Sequence, residues 1–164
     1  MEAILDLLHD YVALSFRALE RRALSREDRG RWLALSRLIP GDGNAPRAPA
    51  GSPDGDSDGL PVQIIAPGGF EAARLLALSR EGVRVATERP MPVGAVTALR
   101  IVVPKSGLEY VYACRVQWIQ GDTMGLLFDG PPTRTSLSRT SAVGWKRTLD
   151  LRTGWFTHER AGTA

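Results

Sequence analysis

The sequence predicts a mainly β fold: a six-stranded β-barrel preceded by a helical hairpin, α+β overall. Three observations carry this. Residues 1–40 repeat their apolar side chains at helical spacing. Residues 41–60, GDGNAPRAPAGSPDGDSDGL, hold almost nothing that can be buried, which is linker composition. After Leu60, short apolar runs alternate with glycine, proline and aspartate turns.

The first helix is expected over residues 3–22. Ile4, Leu8, Tyr11, Val12 and Leu19 recur at three- and four-residue spacing. Leu5, Leu7, Leu14 and Phe16 widen that face, which predicts burial on more than one side. The second helix begins near Ser25, where Ser25-Arg26-Glu27-Asp28 has the form of a capping box. Trp32, Leu35, Leu38 and Ile39 give it an apolar stripe, and Pro40 with Gly41 ends it. Residues 41–60 read as a disordered acidic linker.

Strands are expected at 62–66, 70–78, 82–87, 98–103, 109–119 and 124–128. In the third, Val83, Val85 and Thr87 alternate with Arg84, Ala86 and Glu88. Pro67-Gly68-Gly69, Lys105-Ser106-Gly107 and Gly121-Asp122 supply turns. The absence of β-α-β alternation argues against a dinucleotide-binding fold. Residues 133–141 are rich in hydroxyls and read as loop. Trp145, Leu149, Leu151, Trp155 and Phe156 predict a short helix or an added strand in the C-terminal extension, residues 131–164.

With 164 residues, the chain suits one domain with an extension. Hydrophobic residues at 43% and charged residues at 24% exclude a long disordered protein. One cysteine excludes an internal disulfide and a multi-thiolate zinc site. The two histidines, His9 and His158, stand at opposite ends, so no metal and no cofactor is expected. No apolar run is long enough to span a membrane. The opening MEAILDLLHDY carries acids where a signal peptide carries lysines, so the expected compartment is the cytoplasm.

The net charge of +3 is uneven: +1 over residues 1–40, −3 over 41–60, +1 over 61–130 and +4 over 131–164. The basic tail (Arg134, Arg139, Lys146, Arg147, Arg152, Arg160) could meet nucleic acid or an acidic surface. Its charges are spaced rather than clustered, which favours a solvated tail.

Catalytic motifs are missing: no G-x-S-x-G elbow, no P-loop, no H-E-x-x-H and no Rossmann glycine fingerprint. The expectation is a non-enzyme. Cys114 sits inside a strand with no histidine near in sequence, so it reads as a half-buried structural thiol. His9, beside Asp10, reads as exposed or capping. Asp54, Asp56 and Asp58 have calcium-loop spacing, but Ile65 stands where the bidentate Glu belongs.

Residues 60–130 resemble the PilZ domain family. The resemblance runs through Ala77-Leu-Ser79-Arg-Glu-Gly82-Val-Arg-Val, Pro92-Val-Gly94, Leu99-Arg-Ile-Val-Val-Pro104, Cys114-Arg-Val-Gln-Trp118 and Met124-Gly125-Leu-Leu-Phe128. Residues 1–40 look like extensions seen before some bacterial PilZ domains. The resemblance implies a six-stranded barrel that binds cyclic di-GMP. Family members use an R-x-x-x-R motif before the first strand and a D/N-x-S-x-x-G motif. Guanidinium forks suit two phosphates, and a carboxylate or amide suits a guanine edge.

This chain departs from both motifs. Ala77 stands at the Asp/Asn position and leaves Ser79 and Gly82 as a vestigial motif. The stretch before the first strand holds Asp54, Asp56 and Asp58 and no base. Arg17/Arg21, Arg22/Arg26 and Arg80/Arg84 do have R-x-x-x-R spacing, but with nineteen arginines about two such pairs arise by chance. Gly82 is expected to allow a positive-φ turn and Ser79 to bond turn backbone.

The resulting expectation is a PilZ-like regulatory adaptor that binds protein partners and not cyclic di-GMP. The resemblance places it in bacterial motility, type IV pilus function or cell polarity, recruited by a partner to a pole or membrane complex without inserting in the membrane. Trp32, Trp145 and Trp155, outside the barrel, are candidate partner contacts or pack helix and tail on the barrel. The N-terminal helices could also form a homodimer. Two alternatives stand beside this: a cyclic di-GMP receptor with a rearranged site at Arg80 and Arg84, and a small nucleic-acid-binding barrel.

Overall fold

The computed structural model describes residues 2–20, 23–41, 59–66, 68–103 and 105–136, with the backbone course alone at 145–150 and 155–160. Most of the expected linker, residues 42–58, lies outside the described residues.

Two helices, α1 (Glu2–Leu19) and α2 (Arg26–Leu38), precede β1 (Leu60–Ala66), β2 (Gly69–Leu78), β3 (Gly82–Ala86), β4 (Val96–Val103), β5 (Leu108–Gln120) and β6 (Thr123–Phe128). All six expected strands are present. They pair antiparallel in the order β4-β1-β2-β3-β6-β5, and a β4–β5 pairing closes the barrel. Closure removes the free edges that an open sheet would present.

The turns follow local chemistry. Gly69 pairs with Ala66 and Thr123 with Gln120, so β1–β2 and β5–β6 are joined by two-residue connections. Gly121, at φ +60°, supplies the left-handed conformation that the second of these requires.

Val83, Val85, Leu99, Ile101, Tyr110, Tyr112, Val116, Met124 and Leu126 fill the core and leave at most 1% of their surface exposed. Cys114, expected half-buried, is fully buried among them. Bulges interrupt the alternation twice, at Leu76 in β2 and at Gln117 in β5. Each adds one residue and turns the side chain after it to the opposite face. Trp118 therefore does not share the inward face of Val116. Its indole lies against Gly125, where an added Cβ would stand 2.2 Å from Nε1.

A correction concerns residues 133–141, expected to be loop. Thr133–Ser136 forms β7, paired with β5 from Leu108 to Val111. β6 occupies the same side of β5 from Cys114 onward, and the Asp129 amide bonds the Ala113 carbonyl at 2.9 Å between them. β6 leaves part of β5 uncovered, and a threonine-rich segment suits the pleated position beside it. Beyond it, β8 (Trp145–Asp150) and β9 (Trp155–Arg160) form a separate antiparallel pair.

The hairpin belongs to the same folded unit as the barrel. Leu5, Leu8 and Val12 join the barrel's core cluster. The Tyr112 hydroxyl donates to the Leu5 carbonyl at 3.3 Å, and the Tyr110 hydroxyl to Asp6 Oδ1 at 2.7 Å. These contacts fix which face of α1 turns inward. Ile4 and Leu19, expected on the buried stripe, are 50% and 72% exposed. α2 starts as expected, with Ser25 Oγ accepting from the Asp28 amide at 3.0 Å. It packs on α1 through Trp32, stacked on Tyr11 at 6.2 Å and donating from Nε1 to Ser15 Oγ at 2.9 Å. Arg31 pairs with Asp10. Ile39 leaves the helix in an extended conformation ahead of Pro40.

Candidate functional site

Residues 75–84 form the end of β2, a tight connection and β3. The buried Ser79 organises the connection: its amide donates to the Gly82 carbonyl at 2.9 Å, its hydroxyl to the same oxygen at 3.1 Å, and it accepts from the Gly82 amide at 3.2 Å. The hydroxyl bonds turn backbone, as expected. Gly82 corrects the reading. It is not among the positive-φ glycines. A Cβ there would stand 2.0 Å from the Leu126 carbonyl oxygen, so glycine is required by the close approach of β3 to β6.

Arg80 is committed to a helix end. Its amide donates to the Pro40 carbonyl and its Nη1 to the Ser36 carbonyl, both at 3.1 Å. Its guanidinium also lies against Gly41, where an added Cβ would meet Nη2 at 1.8 Å. A cation at the last turn of a helix satisfies orphan carbonyls and suits the negative end of the dipole.

Val83 and Val85 face the core, so Arg84 and its register partner Ala77 face outward. Arg84 also pairs across with Gly125, and Gly125 with Trp118. Ala77, Arg84, Gly125 and Trp118 thus form one row across four strands. Buried within it, Arg84 Nε and Trp118 Nε1 have no hydrogen-bond partner.

Ala77 also lines a groove of about 600 Å³ between the hairpin and the barrel. Ile4 and Leu7 of α1, Leu38 of α2, Leu60 of β1 and Leu76 of β2 line it too, and every lining residue is apolar or glycine. The bulge at Leu76 is what brings that side chain and Ala77 to it together. Sequence reading missed the groove. Its one local signal is the Leu75-Leu76 doublet, which breaks the period of two.

Elsewhere, Asp6 Oδ1 accepts from a neutral donor and a cation: the Tyr110 hydroxyl and Arg134 Nη1, each at 2.7 Å. The Tyr110 hydrogen bond, then Arg134, hold the Asp6 carboxyl below its ordinary range. Burial and Asp6 push Tyr110 up to about 12. His9, expected exposed or capping, is half-buried with its ring edge-on to Tyr110 at 6.2 Å. Burial lowers its pKa against the pull of Asp10. Burial pushes the Cys114 thiol up to about 12, far from a nucleophile's range. Trp32 is engaged between the helices; Trp145 and Trp155 carry no described side chains. No cluster of metal-ligating residues occurs among the described residues, and no described helix is long and apolar enough to cross a membrane.

A family model for the PilZ domain matches residues 59–140, half of the chain. The chain belongs to the PilZ family. A search of curated proteins found no match. PilZ domains are regulatory and binding domains rather than enzymes, and membership implies a cyclic di-GMP-related regulatory role in bacteria. The match takes in the closed barrel and β7. Within the matched range, Ala77 stands in the wall of an apolar groove and Arg80 caps a helix.

Proposed function

We propose that this PilZ protein is a regulatory adaptor that works through protein–protein contacts and does not bind cyclic di-GMP, in bacterial motility, type IV pilus function or cell polarity. The supporting observation is the setting of Ala77. Where the family places a guanine-reading side chain, this chain offers a methyl group in a groove without one polar lining side chain. A phosphate entering there would lose hydration with nothing to replace it. The Asp54, Asp56 and Asp58 run before Gly59 adds repulsion. The motility, pilus and polarity setting comes from the family resemblance alone.

A second reading rests on Arg84. Its unpartnered Nε and that of Trp118 flank Gly125 on the outer face, where a guanidinium and an indole could hold an anionic purine. Calorimetric titration with cyclic di-GMP separates the two. The adaptor reading expects no saturable heat. Micromolar binding lost in Arg84→Ala establishes the second reading instead.

A further inference from the structure

We infer that the groove between the hairpin and the barrel binds a single long-chain carboxylate, with the alkyl chain in the groove and the head on the arginines around it. The inference goes beyond the adaptor reading and does not rest on it.

Polar and apolar groups are sorted at this site. Ile4, Leu7, Leu38, Leu60 and Leu76 line the groove, and no lining residue carries a polar side chain. A methylene chain needs no hydrogen-bond partner and gains by leaving water. The groove is open to entry, since Ile4 and Leu38 are 50% and 67% exposed. Its volume of about 600 Å³ falls within the ~300–1,000 Å³ of small-ligand sites. A peptide helix about 10 Å across would fill it with less than two turns, too short a seat for a docked helix. Residues 42–58 contain no Leu, Ile, Val, Met or aromatic residue, so the connecting segment has no large apolar side chain to fill it.

The described charges around the groove select the head. The Arg74 Cβ stands 3.1 Å from the position of a Cβ added to the lining residue Gly59. Arg84 is the register partner of Ala77, Arg37 precedes Leu38 in α2, and the Arg80 amide bonds the Pro40 carbonyl. Glu81 lies 4.0 Å from Arg80. Arg37, Arg74 and Arg84 have no carboxylate partner among the described residues, whereas Arg31, Arg89, Arg100, Arg115 and Arg134 each have one. On α1, the helical period puts Glu2 and Asp6 on the side away from Ile4 and Leu7, and Asp6 is held by Tyr110 and Arg134. An anionic head is therefore favoured and a cationic one opposed. A carboxylate also matches the guanidinium fork. Wherever residues 42–58 lie, their net −3 opposes one carboxylate half as strongly as the two phosphodiesters of cyclic di-GMP.

The test is calorimetric titration of the full chain with dodecanoate below its micelle concentration, beside octanoate and dodecyltrimethylammonium. Dodecanoate is expected to bind saturably and about tenfold more tightly than the cation with the same tail. Octanoate should be weaker by about threefold for each methylene removed. Arg37→Gln combined with Arg74→Gln changes two exposed side chains outside the core, and should weaken dodecanoate about tenfold while leaving the cation no weaker. Leu76→Asn should weaken both tails about tenfold. Equal binding of the two heads, no saturable heat from dodecanoate, or no effect of the arginine pair overturns the inference. So does binding of anionic phospholipid vesicles, or of an acidic amphipathic peptide, by a chain that ignores dodecanoate. Saturable binding of cyclic di-GMP would remove the adaptor reading and leave this inference in place.

Discussion

The Tyr110 hydroxyl and the Asp6 carboxylate meet at 2.7 Å across 104 positions of sequence. Arg134 of β7 reaches the same oxygen, so helix, barrel and added strand converge on one carboxylate. Tyr110→Phe keeps the buried ring and removes this bond. Because Asp6 is partly exposed, the expected loss is about 1 kcal/mol in urea unfolding. The sign with pH follows from the lowered carboxyl. Its contribution is present above the ordinary aspartate value of about 3.9 and is lost as pH falls through the lower folded value. The gap between wild type and Tyr110→Phe should therefore close on acidification below about pH 4.

Gly82→Ala forces a methyl group into the Leu126 carbonyl. Backbone on both sides must shift, so a loss of about 3 kcal/mol is expected. Gly68→Ala, where an added Cβ meets nothing within 4 Å, is the control and should stay within about 0.5 kcal/mol. Chemical denaturation of both variants decides whether close approach explains Gly82.

Arg80→Ala removes the donor to Ser36 at the end of α2 and should lower stability by about 1 kcal/mol. Gly41→Ala displaces the same guanidinium. The two effects should fall well short of additive in a double-mutant cycle, because both break one contact. Full additivity would mean that Arg80 is not held there.

Cys114 has no exposed surface, and its thiol is pushed up to about 12. Alkylation at about pH 8.5, near the ordinary thiol value, should be slow in the native protein and fast in denaturant. The native rate should follow unfolding, and Tyr110→Phe should raise it.

The strands and turns were legible because their signals are local. Val83, Val85 and Thr87 alternate, and Gly121-Asp122 supplies the turn geometry. The family was legible through the ordered run of short motifs from Ala77 to Phe128. What the sequence concealed depends on partners distant along the chain. The bulges at Leu76 and Gln117 reverse the facing of Ala77 and Trp118; the Leu75-Leu76 doublet is the one local mark of the first, and none marks the second. The requirement for Gly82 comes from β6, and the role of Arg80 from α2. The exposed side of α1 is set by Tyr110 and Tyr112. β7 forms because β6 leaves part of β5 unpaired.

The central claim is that this barrel keeps the family's framework and no longer reads its nucleotide. Amide chemical shifts of the ¹⁵N-labelled full chain, titrated with cyclic di-GMP to about 1 mM, test it most directly. Unmoved resonances from Leu76 to Gly82 and at Arg84 are the expected result. Saturable shifts there at micromolar ligand would contradict the account.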